Sequence, residues 1–310
     1  MSSDLITGRH ADQRSGSERL DLSRPRGART AKNALATVLV SAATLLAIAP
    51  LVWILYSVIS RGLRVVLNSN WWLQSQRGIT PLMEGGGAYA AIVGTVQIAL
   101  ICTVIAVPLG VLGAIYLVEY ARGTKIARVI SFAVDILTGI PSIVAALFIF
   151  ALMITLLGLG RSAVAAAFAL VLLMLPTVLR STEEMLKLVP DSLREASYAL
   201  GVPKWKTITH VVMPTALSGI VTGVLLGIAR VMGETAPLLI LVSYAMGINF
   251  NPGSGVMASL PTMINSLRDQ PPGLPGFDRA WGAALTLILI VVALNLIGRG
   301  IGRFSRLKEK

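Results

Sequence analysis

The sequence predicts an all-α membrane protein, a polytopic bundle of six helical spans with both termini in the cytoplasm. Three observations carry this expectation. The 310 residues are 55% hydrophobic and only 14% charged, with a mean hydropathy of +0.75, whereas a soluble globule carries about 25% charged residues. Apolar runs of about 20 residues, the length that crosses ~30 Å of hydrocarbon, recur six times. The lysines and arginines crowd into alternate connections between those runs.

The runs fall at about 34–60, 89–118, 129–157, 162–179, 216–245 and 280–298. In lipid every backbone polar group must bond within the protein, so the runs are read as helices. The first follows a polar tail and exceeds the apolar core of a signal peptide, so it is read as a retained span. In the third, Gly139, Pro141 and Ser142 point either to a break that frees backbone groups or to a simple kink. An even number of spans puts both termini on one side. That side would hold twenty basic residues: seven in the tail, three between spans two and three, five between four and five, and five at the end. The other side would hold six, Arg61, Arg64, Arg77, Arg161, Arg268 and Arg279. The positive-inside rule therefore makes both termini cytoplasmic, and it accounts for the formal charge of +12 without nucleic acid. Residues 1–33, rich in Ser, Arg and Asp, read as a disordered polar tail that orients the chain. Trp71 and Trp72 read as markers of the outer interface.

The stretch REASYALGVPKWKTITHVVMP, residues 194–214, is polar and closely punctuated in an otherwise oily chain. Ser192 followed by Glu195 has capping-box spacing, a helix from about Leu193 to Leu200 follows, and Gly201 suits the left-handed residue that closes it. Pro203 can open a second helix, on which Trp205, Ile208, Thr209 and Val212 would share a face, and Pro214 would stop it. Helices this short are marginal alone in water, so something must hold them. The spacing leaves open an amphipathic elbow on lipid headgroups or a knob that docks into a partner; flanking spans leave no third helix for a DNA-reading unit.

The spacing of Glu195, Ala196, Ser197, Gly201, Val211, Met213 and Pro214 resembles the coupling-loop signature of ABC-importer permeases, Glu-Ala-Ala, three residues, Gly, nine residues, Ile-x-Leu-Pro. Ser197, Val211 and Met213 depart from the consensus while keeping size or apolarity. Three further stretches, ITPLMEGGGAYAAIVGTVQIAL (79–100), VDILTGIPSIVAALF (134–148) and ARVMGETAPLLI (229–240), resemble the PstA-type permease of phosphate importers, and the likeness covers roughly 79–300. The resemblance implies a type I importer permease domain over 34–310, with a coupling loop at about 190–214 in which Glu195, Ala196, Ser197, Gly201, Pro203 and Pro214 meet an ATPase. It also implies partners: a second homologous permease subunit, two ABC ATPases that hold the ATP-Mg, an extracytoplasmic phosphate-binding protein, phosphate itself, and membrane lipid. No cofactor is expected on this chain, nor nucleic acid. Molybdate or sulfate is the alternative anion within that family.

Within the fifth run, Arg230 and Glu234 are ionisable residues at a cost of at least ~2.5 kcal/mol each on insertion scales, so they are candidates for function. Four residues apart, they would pair on one helix face, the face that Gly219, Gly223 and Gly227 open to a neighbouring helix. Arg230 is suited to an oxyanion because its planar fork bonds two oxygens, with Glu234 neutralising it when no substrate is bound and the Thr235 hydroxyl close by. A permanent structural salt bridge is the competing reading; the resemblance favours the pathway. Asp135 reads as a cap or helix-dipole residue. The sequence has no GxxxxGK[ST] loop to hold ATP phosphates, and His10 and His210 with the single Cys102 offer no metal set. An intramembrane enzyme working through Glu234 would need a nucleophile that is absent from the pattern, and a secondary carrier would need no coupling elbow.

Overall fold

The computed structural model describes residues 27–307, so most of the predicted disordered tail, residues 1–26 with His10, lies outside the described residues, as do residues 308–310. Residues 27–33 are already helical, within α1 (Gly27–Val66). The chain divides into two compact units, Met1–Ile54 and Leu55–Lys310. The described part of the first is the leading stretch of α1, whose apolar side chains, Leu46 and Trp53 among them, are exposed along its length, as suits a helix whose solvent is hydrocarbon.

In the second unit all regular structure among the described residues is helical: α2 (Ser69–Leu73), α3 (Tyr89–Ile115), α4 (Lys125–Gly139), α5 (Ser142–Ile149), α6 (Ala163–Lys187), α7 (Asp191–Ala199), α8 (Lys204–Thr207), α9 (Met213–Met232), α10 (Ala236–Leu241), α11 (Leu260–Leu267) and α12 (Pro275–Leu307). Wide π-helical turns extend α3 (Tyr116–Tyr120) and α5 (Phe150–Leu156) and join α8 to α9 (Ile208–Val212). Five helical stretches are long and apolar enough to cross a membrane, Arg29–Val66, Tyr89–Tyr120, Ala163–Lys187, Lys204–Met232 and Pro275–Gly300, and a sixth span results if α4 and α5 with its π-turn cross together. That pair is bent by 105°. Of the two readings of Pro141 the structure therefore has the break: Ile140 is extended (φ −73°, ψ 126°), as a residue before proline is driven to be, and Pro141 opens α5.

Helix α6 is the centre of the unit. Two-thirds of its most apolar window is buried, and its first two turns are rich in alanine, with Ala163, Ala165, Ala166, Ala167 and Ala169 all buried. In lipid no hydrophobic driving force separates one apolar helix from another, so association rests on close van der Waals fit between small residues. On α3, a Cβ added to Gly110 would come within 2.8 Å of Val178. On α9, one added to Gly219 would meet Met185 at 2.1 Å and one added to Gly223 would meet Ser181 at 2.3 Å, while Gly227 faces Met174 and Val178 at 3.5 Å. The glycine stripe thus does what its four-residue period implies, and the helix it receives is α6. Ser162 caps α6 by accepting a hydrogen bond from the Ala165 amide.

Four expectations change. The run 216–245 is not one helix: α9 ends at Met232, Gly233 closes it, and α10 begins only at Ala236. Pro237 explains this, since its ring would clash with the carbonyl of Gly233, four residues back, in a continuing helix. Pro214 does not stop a helix; it sits in the first turn of α9, downstream of the π-turn, where its missing amide costs little. Trp71 is not an interfacial marker but a core residue, 1% exposed, whose indole donates to Thr286 at 2.9 Å; Trp72 is the more exposed of the two. Asp135 neither caps α4 nor faces its amino-terminal end. It accepts from Arg180 of α6 at 2.5 Å, and Arg180 also donates to the Ser131 carbonyl and to Glu183.

The tight α6–α9 contact gives a direct test. Gly223→Leu is expected to destabilise the protein by about 1–3 kcal/mol, the usual cost of overpacking, measured as a lower melting temperature in detergent. An unchanged melting temperature would mean that the helices do not approach as closely as described.

Candidate functional site

The polar stretch folds as an elbow of two short helices. Helix α7 begins at Asp191 with Pro190 as its cap residue, and no side chain caps it; the Ser192–Glu195 capping box does not form, because the helix has already begun before Ser192. Its carboxyl end is closed by Gly201, at φ +76°, with the Gly201 amide donating to the Tyr198 carbonyl and the Val202 amide to that of Ser197. This is the left-handed closure the sequence foretells. Pro203 (φ −67°, ψ 150°) then serves as the cap residue of α8. The two helices are pinned together by a buried hydrogen bond between the Ser197 and Thr207 hydroxyls, 2.8 Å apart.

The elbow is fastened from below. Arg194 on α7 donates from Nε and Nη2 to the same Glu119 carboxylate oxygen, at 3.1 and 2.9 Å, and also to the Leu186 and Val189 carbonyls and to Asp191. The Glu119 side chain is only 4% exposed and that of Arg194 11%. Lys204 on α8 donates to the Glu119 backbone carbonyl and lies 4.9 Å from the centre of the Tyr120 ring. Glu119 and Tyr120 end the π-turn that extends α3. On the same side of the fold, Glu183 accepts from both Arg180 and Lys187.

The outward surface mixes polar side chains with apolar ones. Leu193, Tyr198, Leu200 and Trp205 are exposed, Leu200 at 84%, beside a groove of 450 Å³ bordered by Ala196, Val202, Lys206 and His210. Glu195 and Ala196 are exposed as well, whereas Ser197 is buried. The expected common face of Trp205, Ile208, Thr209 and Val212 splits: Ile208 and Val212 are buried with Thr207, and Trp205 and Thr209 are exposed. The π-turn from Ile208 adds a residue per turn to the pattern, which a 3.6-residue period cannot foresee.

At the far end of α9 stand Arg230, Glu234 and Thr235. The rise of ~1.5 Å per residue puts Arg230 about 24 Å from Pro214 along the axis. Arg230 is exposed and Glu234 and Thr235 are half-buried. Their expected ion pair does not form: among the described residues neither Arg230 nor Glu234 has a side-chain hydrogen-bond or salt-bridge partner. Four-residue spacing brings side chains together only on a continuous helix, and the helix ends between them. The signal was present as Gly233 followed four residues later by Pro237. The structure thus brings Glu195, Ala196, Ser197, Gly201 and Pro203 into one elbow, puts Pro214 at the base of α9, and sets Arg230, Glu234 and Thr235 at a helix break remote from both.

Sequence reasoning missed the anchors. Glu119 and Arg194 are 75 residues apart, and Asp135 and Arg180 are 45 apart, so no local period connects them. The hint available was an acid at the polar end of an apolar run, as at Glu119.

This is a polytopic helical membrane protein whose polar features gather at an elbow and at a broken helix. Residues 106–306 match the family of binding-protein-dependent transport system inner membrane components. A phosphate transport system permease protein, PstA 1, of Mycobacterium tuberculosis is 55% identical over 268 residues, 86% of this chain and 88% of that protein. A PstA permease of Yersinia pestis is 40% identical over 273 residues, 88% of this chain and 90% of that one. Among solved structures, a bacterial ABC transporter involved in import of the acidic polysaccharide alginate superposes with a TM-score of 0.59 over 89% of this chain and 98% of the matched chain, at 15% identity. That likeness concerns the fold alone. The chain belongs to the binding-protein-dependent inner-membrane transport family, and it is a multi-pass protein of the cytoplasmic membrane.

Gly201 sits in open space, with nothing within 4 Å of an added Cβ, so its constraint is backbone conformation alone. Gly201→Ala is expected to cost about 1 kcal/mol through the left-handed φ, read as a small fall in melting temperature; no fall would mean that the closure is not left-handed.

Proposed function

We propose that this chain is the membrane permease subunit of an ATP-driven importer of inorganic phosphate, forming half of the translocation pathway. The observation that carries the reading is the elbow: a two-helix unit whose crown exposes Leu193, Leu200 and Trp205, anchored by buried polar contacts to the bundle beneath. An isolated helix pair of that length is marginal in water, and this one is anchored inward through Arg194, Ser197 and Thr207 while Leu200 and Trp205 stand exposed. The matching coupling-loop residues, and relatives named as phosphate transport permeases at up to 55% identity, support a crown that docks into a cleft of a separate ATPase subunit.

In this reading the elbow and both termini face the cytoplasm, in keeping with twenty basic residues against six. Glu195, Ala196, Ser197, Gly201, Pro203 and Pro214 form the ATPase contact and its frame. Two ATPases, holding the ATP-Mg, close and open against the elbows of this chain and of a second, homologous permease, and a phosphate-binding protein delivers the anion from outside. The chain is a transporter subunit without catalysis of its own. Helix α9 runs unbroken from α8 to the end that carries Arg230, so a tilt at the elbow reaches that end without an intervening hinge. Arg230, exposed and without a side-chain partner among the described residues, offers its guanidinium to a tetrahedral oxyanion at the pathway, with Glu234 and Thr235 at the helix break beside it. A guanidinium gives two parallel donors to such an anion and keeps its charge when desolvated.

Two experiments test the reading. The chain, co-expressed with a second permease, an ATPase and a binding protein, is expected to co-purify with the ATPase and, in vesicles, to take up phosphate in preference to molybdate or sulfate; a preference for another oxyanion would overturn the phosphate assignment. Arg230→Gln is expected to leave the complex assembled while reducing phosphate uptake by about tenfold, the effect of ~1.4 kcal/mol. Uptake at the parental level would remove Arg230 from the pathway.

A further inference from the structure

We propose that Glu119 is a positioning residue that makes the elbow drive α3 as well as the two helices to which the chain joins it. The inference rests on the permease reading above. Through the chain itself, the elbow is connected only to α6, by the turn at 188–190, and to α9, by the unbroken run from Lys204. Helix α3 has no such connection, for it lies 75 residues upstream of Arg194. Its link to the elbow is made of side chains, and both halves of the elbow contribute: Arg194 of α7 grips the Glu119 carboxylate with two donors, and Lys204 of α8 holds the carbonyl of the same residue while resting on the Tyr120 ring.

The pair is built to move as one piece. Both side chains are largely withdrawn from water, at 4% and 11% exposure. Pulling α7 away from α3 would leave a carboxylate stripped of both water and its cation, which costs far more than breaking an exposed pair. The other ion pair in reach, Arg122 with Asp191 at 3.6 Å, is of the exposed kind, with side chains 78% and 59% accessible, and it can open cheaply. When the elbow shifts, the lower-energy course is therefore for the end of α3 to follow. The π-turn at Tyr116–Tyr120 aims Glu119 at the elbow; such wide turns recur where a helix must re-aim a side chain for function.

The test uses the assembled transporter in vesicles, with its binding protein, and reads phosphate accumulated per ATP hydrolysed. Glu119→Gln keeps shape and one acceptor but removes the charge, and Arg194 keeps Asp191 and two carbonyls as partners, so the fold is retained. The expected result is that the ATPase still co-purifies while the ratio falls by at least about fivefold, the low end of a coupling between sites. Arg194→Gln is expected to lower the ratio too, and the double variant to be no worse than the poorer single one, since residues that act as a single link are not additive. A parental ratio in Glu119→Gln overturns the inference, as does additivity in the double variant. Loss of the ATPase from Glu119→Gln also overturns it, because Glu119 would then serve docking. If the parental complex transports and only these outcomes fail, the permease reading stands; a parental complex that does not transport phosphate overturns both.

Discussion

Helices in a lipid environment gain nothing by hiding apolar surface from each other, so the bundle depends on how closely α6 can be approached by its neighbours. Alanines on its first half and glycines on α3 and α9 bring backbones near enough for dispersion contacts to accumulate. Because α6 is gripped on both sides, it fixes the spacing of α3 and α9, the two helices that carry the polar features. The spacing that brings Glu119 within reach of Arg194 is set where α3 packs on α6, and α9 is seated on α6 through Gly219, Gly223 and Gly227.

The polar groups obey a second rule. Charges withdrawn from water are paired or hydrogen-bonded to backbone: Glu119 with Arg194, Glu183 with Arg180 and Lys187, and Arg279 with the carbonyls of Thr80, Met83 and Gly85. Arg230, exposed at the far end of α9, has no side-chain partner among the described residues.

The breaks in the helices are also placed by chemistry. Pro141 bends the third span by 105°, and Pro237 with Gly233 ends α9. By contrast Pro50, Pro108 and Pro176 lie inside α1, α3 and α6 without ending them, and Pro214 sits in the first turn of α9. The same residue type thus breaks some spans and is accommodated within others; the two breaks each pair the proline with a glycine, Gly139 before Pro141 and Gly233 before Pro237.

Residue order alone determined the apolar spans, the elbow with its left-handed Gly201 and its opening at Pro203, and the four-residue glycine period of α9, because each follows from interactions among residues a few positions apart. It also carried, through matching residues, the likeness to importer permeases. The tertiary structure decided what depends on distant partners: that Trp71 belongs to the core through Thr286, that Asp135 pairs with Arg180, that Arg230 and Glu234 stand across a helix end without a side-chain partner among the described residues, and that Arg194 bonds Glu119. A charge announces the cost of burying it, but only the folded chain shows which opposite charge, 45 or 75 residues away, meets that cost.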